Sequence, residues 1–149
     1  MLGPVDGAII GGIWGLLTWV RAFVAPSSPL APLVFVNPLV SVVPRIMIGI
    51  LAGYTFILMC RLVKAKYIAA VSAAIVGTLT NTGLVLGFIY LFYRTPAVAQ
   101  TYGVNVNHLL IALETVMATN GLAELILAII IVPMVALPVL EVRRRLEVN

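Results

Sequence analysis

Long apolar stretches alternate along this chain with short polar or proline-rich connections, and none of them has the one-sided periodicity of a helix lying on a soluble core. Four are long enough to cross a bilayer, at about residues 5–24, 43–60, 67–92 and 120–140, since a spanning helix needs about 20 residues. The pattern predicts an all-α fold, a multi-span transmembrane helix bundle forming one integral membrane domain over residues 1–149. Between the first two spans, Pro26, Pro29 and Pro32 forbid a continuous helix and set an irregular connection over residues 25–42. Between the last two, residues 93–119 are polar at first and then weakly amphipathic from His108 to Glu114. A short helix lying near the membrane surface is expected there.

Composition agrees with this reading and fixes the orientation. Hydrophobic residues make up 62% of the chain and charged residues 9%, and the mean hydropathy is +1.17. A soluble core cannot hide that much apolar surface. The net charge of +4 would suit nucleic acid, but the basic residues sit at the ends of apolar runs and form no basic face, so no nucleic acid partner is expected. Arg61, Lys64 and Lys66 fill the second connection, and Arg143, Arg144 and Arg145 follow the fourth span. By the positive-inside rule both face the cytoplasm, which places both termini inside and the 25–42 and 93–119 segments outside. The first apolar run has no basic region before it, so no signal peptide is expected. The single cysteine, Cys60, excludes an internal disulfide and any multi-cysteine metal site.

Small residues recur every fourth position: Gly3, Gly7, Gly11 and Gly15; Gly49 and Gly53; Ala69, Ala73 and Gly77; Gly83 and Gly87. Such rows let helices approach closely in lipid. Two readings of the first row stand, ordinary packing inside the bundle or a docking surface for a partner membrane subunit.

Polar residues at membrane depth need a partner or a function. Arg45 opens the second span in the phrase from Asn37 to Gly49, Asn-Pro-Leu-Val-Ser-Val-Val-Pro-Arg-Ile-Met-Ile-Gly. A cation in the first turn of a helix opposes the macrodipole, so an anion elsewhere must explain it. Thr78, Asn81 and Thr82 lie in the third span, and Asn120 and Glu124 open the fourth one turn apart. Together they predict a polar cavity near the outer leaflet. Plainer roles stand beside this one: Asn120 as the cap of a helix beginning at Gly121, the Thr80–Thr82 cluster as interhelical glue, and Glu124 as a structural ion-pair partner of Arg45. Arg21 is read as snorkelling to the interface and Trp19 as a belt residue, with Trp14 deeper in the first span. His108, the one histidine, has no metal role in this reading, and no cofactor is expected. Ser27, Ser28, Ser41 and Ser72 have no neighbouring base, and the chain carries neither a phosphate-binding glycine loop nor a His-Glu-x-x-His helix. It is not read as an enzyme; any ATP hydrolysis belongs to another chain.

The run from Gly3 to Gly15, the Asn37 to Gly49 phrase and the small-residue span from Ala73 to Gly87 resemble the S components of energy-coupling-factor (ECF) vitamin transporters. The phrase Asn-Pro-Leu-Val-Ser-Val-x-Pro-Arg most resembles the pantothenate-specific members. The resemblance implies a substrate-binding subunit in the cell membrane that captures a vitamin, pantothenate first, and works with a transmembrane T component and two cytoplasmic ATPase subunits. It implies Asn37, Arg45, Asn81, Thr82, Asn120 and Glu124 as substrate-binding residues, with Arg45 on the vitamin's carboxylate. Gly3, Gly7, Gly11 and Gly15 are the candidate docking row. Family members usually have six spans, so four imply that this chain starts at the third. Three alternatives remain: an S component for another vitamin of folate or pyridoxine type, a membrane assembly subunit with no ligand, and a channel or secondary transporter. The last lacks a proton-relay series.

Overall fold

The computed structural model describes residues 3–26, 29–63 and 65–148. Ser27, Ser28 and Lys64 lie outside the described residues, as do the side chains of Arg143 and Arg144. Eight α-helices follow in order: α1 (Pro4–Val24), α2 (Ala31–Val34), α3 (Pro38–Ser41), α4 (Val43–Val63), α5 (Lys66–Phe92), α6 (Pro96–Thr101), α7 (Leu109–Val116) and α8 (Leu122–Val148). A 3-10 turn, Val106–His108, precedes α7, and a π-helical turn, Met117–Gly121, joins α7 to α8. No strand occurs among the described residues.

The chain forms four helical runs long and apolar enough to span a membrane. They pack in chain order, α1 on α4, α4 on α5 and α5 on α8. Pro4 opens α1 where its missing N–H costs nothing, and Asp6 accepts a hydrogen bond from the Gly3 amide at 3.0 Å. Side chains such as Ile9, Ile13 and Leu17 on α1 and Ile126 and Ile130 on α8 are exposed. On a soluble protein that surface would aggregate; in a bilayer it meets lipid, which is as apolar as it is. Pro133 and Pro138 inside α8 are tolerated in such a setting because neighbouring groups re-satisfy the freed carbonyls.

Two buried clusters brace the ends of the bundle. Val34, Val40, Val85, Ile89, Val98, Ala99, Leu109 and Leu113 join the α2–α3 segment, the end of α5, α6 and α7 into one cap. At the other end Phe56 packs on Ala69, Ala70 and Ala73, tying α4 to the start of α5.

The glycine row of α1 is consumed inside the molecule. A β-carbon on Gly7 would strike the Gly49 backbone, one on Gly11 the Arg45 carbonyl, and one on Gly15 would lie 2.7 Å from the Val42 Cα. Gly49 and Gly53 return the contact against Gly7 and Pro4. This corrects the reading of Gly7, Gly11 and Gly15 as a partner-docking surface: they are the close-packed seam between α1 and α4. Gly3, the fourth member, has nothing within 4 Å.

The segment before the last span also differs from expectation. Instead of lying apart as a surface helix, α7 runs through the π-helical turn into α8, giving one apolar run, Val106–Val142, of 37 residues. At 1.5 Å per residue that is about 55 Å, well beyond a hydrocarbon core of about 30 Å. Asn120 therefore sits within the π-helical turn and caps no helix.

Candidate functional site

The α2–α4 segment aims a cation at the centre of the bundle. Asn37 accepts a hydrogen bond from the Leu39 amide at 2.9 Å through its side chain, and Ser41 Oγ donates to the Asn37 carbonyl at 3.1 Å. The Trp19 indole donates to the Val36 carbonyl at 2.7 Å, which pins this turn to α1. The chain then enters α4, whose third residue is Arg45.

Arg45 is 8% exposed. Its Nη1 donates to the Val40 carbonyl at 3.1 Å, and the guanidinium carbon lies 5.6 Å from the Trp14 ring centre and 5.5 Å from that of Phe35. Two aromatic faces therefore hold the cation. They neutralise no charge, and Nε has no hydrogen-bond partner. Glu124 lines both chambers with Arg45 but forms no direct ion pair with it, so its charge acts on the guanidinium across the cavity and not through a bridge.

Two chambers open beside this guanidinium. The narrow one, about 190 Å³, is lined by Phe35, Arg45, Asn81, Thr82, Asn120, Gly121 and Glu124 with Val85, Leu86 and Val116. The wide one, about 550 Å³, shares Arg45, Asn81 and Glu124 and adds Trp14, Thr78 and a mostly aliphatic wall. Asn81 Oδ1 and Thr82 Oγ1 are buried without hydrogen-bond partners, as is Arg45 Nε. Three orphaned polar atoms around one chamber are unusual, because buried polar groups are nearly always satisfied. They present an acceptor, a hydroxyl and a cationic donor.

The π-helical turn shapes the same wall. Its extra residue per turn places Asn120 and Gly121 together on the narrow chamber, and such turns recur at functional sites. A β-carbon at Gly121 would lie 3.3 Å from Thr82 Cγ2, so a glycine keeps that side open.

Of the six residues expected to bind substrate, Arg45, Asn81, Thr82, Asn120 and Glu124 are brought together. Asn37 is not: it lines neither chamber, because its side chain is spent capping α3. Asn37→Ala should lower stability by about 1 kcal/mol through loss of the cap, measured as a fall in thermal midpoint. Ligand affinity should follow only through folding. The aromatic partners of Arg45 were not foreseen. Trp14 stands three residues after Gly11, and that spacing placed it on the same face of α1 as the glycine row. Phe35 lies in a turn, where no periodicity marks its direction.

Residues 1–136 match the family described as ECF transporter, substrate-specific component. The chain is 32% identical over 143 residues to the pantothenic acid transporter PanT of Lactococcus lactis subsp. cremoris, covering 88% of this chain and 66% of that protein. It is 45% identical over 56 residues to the pantothenate transporter PanT of Leuconostoc mesenteroides subsp. mesenteroides, covering 38% and 27%. The chain thus spans just under two thirds of the length of the first relative and a smaller part of the second. With the family match covering the first three apolar helical runs, most of the fourth and every wall of both chambers, the chain belongs to the substrate-specific components of ECF transporters.

Proposed function

We propose that this chain captures pantothenate at the outer face of the cell membrane for uptake by an ECF-type transporter. The observation that carries the reading is the buried guanidinium of Arg45, which has no directly bonded acid and an Nε without a hydrogen-bond partner, and which lines a chamber that also holds unpartnered Asn81 Oδ1 and Thr82 Oγ1. Pantothenate carries the matching groups: a carboxylate for Arg45, and an amide and hydroxyls for Asn81, Thr82 and Asn120. Glu124, exposed at the rim, accepts from a ligand hydroxyl. The names of both relatives support the choice of vitamin.

The chain itself hydrolyses nothing in this reading. A transmembrane T component and two cytoplasmic ATPase subunits supply the energy, and both termini face the cytoplasm, following the basic residues Arg61, Lys66 and Arg145. Arg45 then opens α4 from the outside.

The test is competition at equilibrium against labelled pantothenate. Pyridoxine lacks a carboxylate and would leave Arg45 unpaired; folate has carboxylates but is as a whole a much larger molecule than pantothenate, too large for the narrow chamber of about 190 Å³. Neither should displace pantothenate at concentrations where unlabelled pantothenate does so fully. Displacement by folate or pyridoxine with equal potency would overturn the assignment of the vitamin.

A further inference from the structure

We infer that the site also takes a second class of ligand, a medium-chain alkyl carboxylate whose head group sits on Arg45 and whose chain fills the wide chamber. The inference rests on the reading that Arg45 receives a carboxylate. The two chambers meet at Arg45, Asn81 and Glu124, but their walls differ. The narrow chamber holds the orphaned Thr82 hydroxyl and Asn120, which suit the hydroxyls and amide of pantothenate. The wide chamber is walled instead by Ile48, Ala73, Ala74, Gly77, Ala128 and Val132. Hydroxyl groups entering it would lose hydrogen bonds without replacement. A pantothenate seated on the polar groups therefore leaves about 550 Å³ of mostly aliphatic space beside its own carboxylate.

The shape of that space is elongated. It runs from Asn81 back to Ala73 along α5 and from Glu124 on to Val132 along α8, eight residues on each helix, or about 12 Å. Small side chains on α5 and α8 leave the slot smooth, as an unbranched chain requires. The head-group end is fixed by an independent feature: Arg45 is 8% exposed, lines this chamber too, and its Nε has no partner. An uncharged alkyl compound would fill the slot and leave that group unpaired, so the class is a carboxylate with a tail. Glu124 disfavours a second anion nearby, but it is exposed and hence solvated at the rim.

The test uses the whole chain in lipid nanodiscs with hexanoate, octanoate and decanoate at known free aqueous concentrations. Two signals are read: displacement of labelled pantothenate, and quenching of tryptophan fluorescence by octanoate brominated next to its carboxylate, since Trp14 lines the wide chamber at the Arg45 end. Affinity should rise about fourfold per methylene until the slot is full, octanol should not compete, and quenching should saturate. Ala128→Phe, which fills the slot away from Arg45, should flatten the chain-length gradient. Equal affinity across the series in the unaltered chain, or octanol matching octanoate, would overturn the inference. If octanoate binds and quenches with this gradient while pantothenate does not bind, the inference stands and the vitamin assignment fails. If pantothenate binds and the alkanoates neither displace it nor quench, the reverse holds.

Discussion

Gly11→Leu is expected to prevent normal assembly of the bundle, lowering stability by about 3 kcal/mol or more. The nearest atoms to a β-carbon at Gly11 are the Arg45 carbonyl oxygen and carbon, followed by the Ile46 Cα at 3.2 Å. All belong to the α4 backbone and cannot rotate away as a side-chain tip would. Helix α1 must move off, and Trp14 leaves the guanidinium with it. In lipid this loss has no hydrophobic compensation, since close packing is what holds such helices together. Gly12→Leu is the control: its β-carbon would meet only the Ile46 side chain at 3.7 Å, an ordinary contact. Thermal midpoints in detergent should separate the two variants clearly. Equal midpoints for Gly11→Leu and the unaltered chain would mean the α1–α4 seam is not the close contact described.

Arg45→Ala should reduce pantothenate affinity about 10- to 100-fold, the loss associated with a hydrogen bond to a charged group. Its effect on folding should be much smaller. The substitution removes one hydrogen bond to Val40 and the two aromatic contacts, each a modest favourable term. It also removes a buried cation that has no directly bonded acid, whose desolvation opposes folding. The two effects offset each other in the empty protein. A double-mutant cycle with Glu124→Gln separates this account from a structural ion pair. Coupling in stability should be small, because the two charges interact only across the cavity and form no direct ion pair. Strong coupling in stability with intact binding would assign both residues to structure.

Much of the bundle was legible because bilayer thickness imposes a length on every apolar run. The four membrane-crossing helices and the convergence of Arg45, Asn81, Thr82, Asn120 and Glu124 followed from apolar spans and from the cost of polar groups within them. Features set by local geometry were not legible in the same way. Asn37 has the chemistry of a ligand contact and the chemistry of a helix cap, and only the fold shows that its Oδ1 faces the Leu39 amide. The α1 glycines promised a close approach without naming the helix approached, which proved to be α4. The continuity of α7 with α8 was hidden by the polar Thr119–Asn120 pair, which reads as a helix start but sits in a π-helical turn. Trp14 shares the face of the α1 glycines, so its side of the helix was legible, whereas Phe35 became a partner of Arg45 through tertiary packing alone.

The central claim is that a ligand carboxylate completes Arg45. The most direct measurement is the affinity of pantothenate relative to pantothenol, its alcohol analogue, on the unaltered chain and on Arg45→Ala, both shown to be folded. The account predicts that the unaltered chain prefers pantothenate by about 10- to 100-fold and that the preference collapses to near unity in the variant. Equal affinities on the unaltered chain, or a preference that survives loss of the guanidinium, would contradict it.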